Sequence, residues 1–176
     1  MKRTITLILT LALCLGLALP ALGAKKKVRL AYVEWDCAAT STAVVQAVLQ
    51  EKMGYEVETL PVAAAAMWQA VGTGDVDGMV TAWLPVTHAD YLKSVADKVE
   101  NLGPITGGAK LGWAVPSYVT IDTMEEINAN AGKFDGKIIG IDPGAGLMKL
   151  SEQALTDYGM DKMELMEGSG ATMTAA

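Results

Sequence analysis

The chain has 176 residues, 51% of them hydrophobic, and sets fourteen basic side chains against twenty acidic ones for a net charge of -6. An acidic protein of this kind is poorly suited to neutralising phosphates, which argues against nucleic acid as a partner. The only cysteines are Cys14 and Cys37.

Met1, Lys2 and Arg3 precede an apolar run from Ile5 to Leu22, and small residues follow at Ala21, Gly23 and Ala24 before Lys25–Lys27. This order of charge, apolar core and small-residue cleavage site predicts a signal peptide over residues 1–24, cut after Gly23 or Ala24. About 18 apolar residues approach a membrane span, but Pro20 and the small residues favour cleavage. Leu13 stands where a lipoprotein signal wants a small residue before Cys14, so Cys14 reads as part of the signal core. Cleavage leaves a periplasmic or otherwise exported product with a net charge of about -8 and Cys37 as its single thiol, unable to form an internal disulfide.

From Val28 to Glu34 the pattern predicts a strand, from Ala39 to Lys52 a helix, from Tyr55 to Leu60 a second strand, from Ala63 to Val71 a second helix, and from Gly78 to Trp83 a third strand. That β-α-β-α-β rhythm implies right-handed crossovers and a parallel-rich sheet with helices on both faces. A helix is predicted over Thr87–Asp97 with Thr87 as cap, and a glycine-rich crossover or hinge over Asn101–Gly108. Beyond it come a strand at Leu111–Val119, a short helix at Asp122–Asn128, a strand at Lys137–Ile141, a helix at Gly144–Tyr158 and a strand at Met163–Glu167. Ser169–Ala176 reads as the start of another helix, and the chain is expected to be a fragment. The ten dispersed methionines read as adaptable core filling.

Trp35 and Trp83 fall at or just after the carboxyl ends of predicted parallel strands, the edge at which open α/β sheets hold ligands. The bland reading of each is a tryptophan wedged beneath a loop; the functional reading is an aromatic wall. Such walls recognise quaternary ammonium groups, which offer no N–H donors and are held by ring faces and dispersion. A zwitterion also needs an anion site, and two segments that precede helices can aim backbone N–H groups at a carboxylate: Asp36-Cys37-Ala38-Ala39 and Asp142-Pro143-Gly144-Ala145-Gly146. Trp68 and Trp113 read as packing, Asp75 and Asp77 as a solvated turn bonded to its own backbone, Asp90 and Tyr91 as helix surface, and His88 as a helix-start residue near the cleft.

Gly54-Tyr55 with Val57, Met67-Trp68, Gly74-Asp75-Val76-Asp77, Trp83-Leu84-Pro85 with Thr87-His88, Val115-Pro116 with Tyr118-Val119, and the run Gly140–Gly146 together resemble the substrate-binding component of glycine betaine/proline ABC transporters. The resemblance spans nearly the whole mature chain. It implies a two-lobed, periplasmic-binding-protein-like α/β fold of type II, with lobe one at residues 25–105 and an incomplete lobe two at 106–176. It further implies capture of a betaine in an aromatic cage, delivery to a membrane permease with its ATPase, no cofactor and no enzymatic turnover. Trp83 matches a cage position, and the loop after Trp35 matches the region whose amides receive the carboxylate, which points to Ala38 and Ala39. Some members carry a tryptophan where this chain has Ala145, so that wall is absent here or comes from elsewhere. Choline, carnitine, ectoine or an amino acid are alternative ligands for the same fold. An exported enzyme using Cys37 with His88 is the alternative from another class, and a metal site lacks the required set of spaced ligands.

The expected ligand-binding set is therefore Trp35, Cys37, Ala38, Ala39, Trp83, His88, Pro143, Gly144 and Ala145.

Overall fold

The computed structural model describes residues 26–176; the expected signal peptide and Cys14 lie outside them. Strand β1 (Lys27–Tyr32) feeds helix α1 (Asp36–Glu51), strand β2 (Glu56–Pro61) and helix α2 (Ala64–Thr73). β1 and β2 pair in parallel, with Lys27 opposite Glu56, Arg29 opposite Glu58 and Ala31 opposite Leu60. This puts opposite charges across the ladder, and Glu58 lies 3.0 Å from the Lys27 ammonium and 3.5 Å from Arg29 Nε. Leu30 and Ala31 are successive residues and both are buried, as expected of a strand covered on both faces.

Beyond α2 the chain pairs with β1 in one isolated parallel bridge among the described residues, between Leu30 and Gly78. The predicted strand Gly78–Trp83 is thus reduced to a single contact. The chain then folds back on itself, because the Trp83 carbonyl accepts from the amide of His88 and from the Thr87 hydroxyl. Asp75 and Asp77 depart from expectation in a related way. Asp77 accepts the Arg29 amide at 2.7 Å, and Arg29 Nη1 donates to the Asp75 carbonyl, tying the turn to β1.

Helix α3 (Ala89–Val95) starts after His88, one residue later than a Thr87 cap would place it. It packs on α2 where Gly72 meets Val95 so closely that any Cβ there would press on the valine side chain. Residues 101–120 form no helix or strand, including the predicted strand Leu111–Val119. Leu102, Ile105 and Tyr118 are 90%, 73% and 82% exposed. β-forming residues become a strand only beside a partner, and among the described residues none lies next to this segment.

The second half contains two short 3-10 helices, Met124–Glu126 and Asn128–Phe134, in place of the predicted helix Asp122–Asn128. The first begins in a capping box between Thr123 and Glu126. Strand β3 (Lys137–Ile139), helix α4 (Gly146–Asp157), strand β4 (Glu164–Met166) and helix α5 (Gly170–Ala175) follow, with β3 parallel to β4. Ser169 caps α5 by accepting the Thr172 amide. One core cluster joins β1, α1 and α2 through Ala31, Ala38, Met67 and Trp68, and also takes in Ile141, Ala145 and Met148 from the second half. A smaller cluster gathers Ile127, Ala131, Met160 and Met163. Methionine does serve as core filler at Met67, Met148, Met160 and Met163; Met148 also accepts the Ile141 amide on its sulfur at 3.2 Å.

Candidate functional site

The chain leaves β1 at Tyr32, and three residues further on Trp35 becomes the residue preceding α1. Its ring is 8% exposed and lies face to face with Trp83, centroids 4.6 Å apart and planes inclined by 29°. His88 closes the group. It stacks on Trp83 at 5.8 Å and 11°, and meets Trp68 and Tyr91 edge-on, each at 5.8 Å. Trp35, Trp83 and His88, three members of the expected ligand-binding set, thus lie against one another. Trp68, buried in the core as its reading as packing expects, and Tyr91, read as helix surface, complete the aromatic group around His88.

At 4.6 Å two indole faces are in van der Waals contact, so a quaternary ammonium group lies between them only after the rings part. Trp35 is the more firmly held of the two: its indole Nε1–H donates to Asp142 Oδ2 at 2.7 Å. Trp83 is half-buried and has no indole hydrogen bond among the described residues.

His88 is fully enclosed, and burial pushes its pKa down to about 4, leaving a neutral ring at physiological pH. Its Nδ1 accepts the Trp83 backbone N–H at 3.0 Å. A neutral imidazole with an acceptor Nδ1 carries its proton on Nε2. That Nε2–H is buried without a partner in the described structure, as is the Trp68 Nε1–H. Both atoms are donors, so the group they lack is an acceptor.

The second segment comes in from α4. Asp142 reaches Trp35, the Tyr91 hydroxyl donates to the Gly144 carbonyl at 2.6 Å, and Lys149 pairs with Asp90. Asp90 and Tyr91, read as mere helix surface, instead tie α3 to the turn before α4. Lys149 lowers the Asp90 pKa, first through their hydrogen bond and then through its charge. Gly146 lies against Thr87 so tightly that a Cβ would overlap the Thr87 carbonyl and Cβ. Gly146→Ala is therefore expected to push the turn off the Trp83–His88 loop and cost about 1–3 kcal/mol, seen as a lower midpoint in denaturant unfolding with the slope unchanged.

Backbone geometry narrows the predicted anion donors. Ala39 N–H already bonds the Trp35 carbonyl and Ala145 N–H the Asp142 carbonyl, and Pro143 has no N–H, so these three do not supply free amides. Cys37, Ala38 and Gly144 have no backbone acceptor among the described residues, and α1 has no side-chain cap. Pro143, Gly144 and Ala145 instead line a cavity of about 270 Å³ shared with Thr87, Tyr91 and Lys149, which Trp35 and Trp83 do not reach. Cys37 is exposed, and no hydrogen bond joins it to the enclosed His88 among the described residues; a proton acceptor with a pKa near 4 is also ill-matched to activating a thiol.

Parallel strands with an aromatic cluster at their carboxyl edge, followed by a second α/β unit that opens on a helix-leading turn, have the arrangement at whose edge open α/β sheets hold ligands. Residues 26–176 match the family described as the substrate binding domain of ABC-type glycine betaine transport system. The chain belongs to that family. It is 41% identical over 105 residues to the glycine betaine/carnitine transport binding protein GbuC of Listeria monocytogenes, covering 59% of this chain and 35% of that protein. Among solved structures it is similar to the glycine betaine/L-proline-binding protein ProX of Borrelia burgdorferi, at 38% identity and a TM-score of 0.81, over 85% of this chain and 57% of that one. It is also similar to lactococcal OpuAC in its closed form with glycine betaine, at 38% identity and a TM-score of 0.77, over 86% and 58%. The fold is that of type II periplasmic binding proteins, and the chain spans well under two thirds of the length of these relatives.

Proposed function

We propose that this chain is the ligand-holding part of an extracytoplasmic protein that captures glycine betaine or a closely related quaternary ammonium zwitterion and presents it to an ABC permease and its ATPase. The observation that carries this reading is the cluster of Trp35, Trp83 and His88 at the carboxyl edge of the parallel strands, in a chain of this family. The indole faces take the methylated cation, whose charge is spread over C–H groups and finds no hydrogen-bond acceptor it can use. The buried His88 Nε2–H faces the carboxylate, with the amides of Cys37 and Ala38 as further donors. An unpaired buried donor costs about 1–3 kcal/mol, so a ligand acceptor at His88 recovers what the empty site forgoes.

In this reading residues 25–105 and 106–176 belong to separate lobes, with the glycine-rich segment 101–108 at the crossover. Closure of the lobes marks the loaded state for the permease, and the ligand leaves unaltered. Closure is favoured only by the ligand's greater affinity for the closed form. A signal peptide cut after Gly23 delivers the protein across the membrane.

Calorimetric titration of the exported protein at its full natural length with glycine betaine, choline and proline tests the proposal. One-to-one binding in which glycine betaine is preferred is the expected result. A preference for choline, which has the cation but no carboxylate, assigns the site to the alternative ligand. A folded full-length protein that binds none of them overturns the reading.

A further inference from the structure

Two indoles face each other at the site, yet the structure secures them unequally. Trp35 is 8% exposed and its Nε1–H is held at 2.7 Å by Asp142 Oδ2, a carboxylate contributed by the turn before α4, 107 residues along the chain. Trp83 has no such tie. We infer that Asp142 is a positioning residue for the quaternary ammonium site, holding Trp35 as the stationary wall while Trp83 is the ring that moves to admit the cation. The inference rests on the reading of this cluster as a cation site.

Three properties of the contact support the assignment. A hydrogen bond from an indole N–H to an ionised acceptor is stronger than one between neutral groups, so it resists rotation of the Trp35 ring when Trp83 departs. The acceptor's negative charge drives electron density toward the ring and adds to the attraction that a cation feels over its face. The bond also spans from α1 to the turn that Tyr91 and Lys149 dock against α3, so the Trp35 wall is fully set only when that turn is seated. Asp142 has a second role in the turn, since its carbonyl accepts the Ala145 amide; that bond is made by the backbone and survives side-chain replacement.

The test is a double-mutant cycle in the full-length exported protein, titrated with glycine betaine and with tetramethylammonium, the bare cation. Asp142→Ala is expected to weaken both ligands about tenfold, and Asp142→Asn, which keeps an oxygen acceptor but no charge, about threefold. Trp35→Phe keeps a ring but removes the N–H. In that background both Asp142 substitutions are expected to change affinity less than twofold, because the donor they serve is gone. Unchanged affinity on replacing Asp142, or an equal loss with and without the Trp35 N–H, overturns the inference while leaving the cation site standing. Failure of the unmutated protein to bind either ligand overturns both. Should Asp142→Ala not fold, the Asp142→Asn arm of the cycle decides by the same criteria.

Discussion

Replacing Trp83 by alanine is expected to weaken glycine betaine binding at least about thirtyfold, or about 2 kcal/mol, while the protein stays folded. Both halves of that result come from its position. Trp83 is half-buried and lacks an indole hydrogen bond among the described residues, so its loss removes the ring proposed to face the ligand without opening a sealed core. Trp35 and Trp68 are 8% and 2% exposed, and their truncation carries the usual cost of about 3–5 kcal/mol for deleting a buried aromatic. Loss of binding in those two variants would therefore confuse unfolding with loss of contact. Calorimetric titration paired with circular dichroism checks Trp83→Ala cleanly; a folded variant with unchanged affinity removes the aromatic wall from the mechanism.

Acid sensitivity of the fold is the second large effect. Burial among Trp35, Trp68, Trp83 and Tyr91 lowers the His88 pKa from 6.5 to about 4. The unfolded chain therefore takes up a proton at this residue before the folded one does. The stabilisation from keeping the ring neutral is fully present above pH 6.5, and drains away as the pH falls toward 4. Between pH 7 and pH 5 this one group is expected to remove about 2 kcal/mol of stability. Glu58 and Asp90 have pKa values lowered chiefly by their bonds to Lys27 and Lys149, and their contributions are lost as the pH falls from the ordinary carboxylate range downward. Urea unfolding followed by tryptophan fluorescence at pH 7, 6 and 5 measures the slope. His88→Gln keeps an acceptor for the Trp83 amide but cannot ionise, so its stability should be nearly flat over that window; an equally steep decline would show that other groups carry the acid sensitivity.

Short-range pattern made much of the architecture legible. The alternation in β1, the apolar period of α1 and α2, and the glycines at 54 and 74 announce a strand-helix-strand-helix order. Gly74 does end α2 in the left-handed conformation, with φ of +77°. Tryptophans at the ends of predicted strands pointed to the carboxyl edge of the sheet for the same local reason: in parallel sheets the chain direction fixes which edge that is. Where the reading failed, the deciding partner lay far away in sequence. Leu111–Val119 has strand-forming side chains and no adjacent strand among the described residues, and the predicted strand Gly78–Trp83 touches β1 at Gly78 alone.

What the sequence by itself determined is the class of element from β1 to α2 and from β3 to β4, the acidic balance of charge and the identity of the aromatic rings. Only the tertiary structure decided how those rings are used. It stacked Trp35 on Trp83, enclosed His88 until its ring became neutral, and brought Asp142 across 107 residues to the Trp35 indole. The physical reason is one of range. Backbone propensity and hydrophobic periodicity act within a few residues, whereas desolvation and hydrogen bonding between distant segments exist only once the chain has packed, and those interactions set both the proton on His88 and the posture of the aromatic cluster.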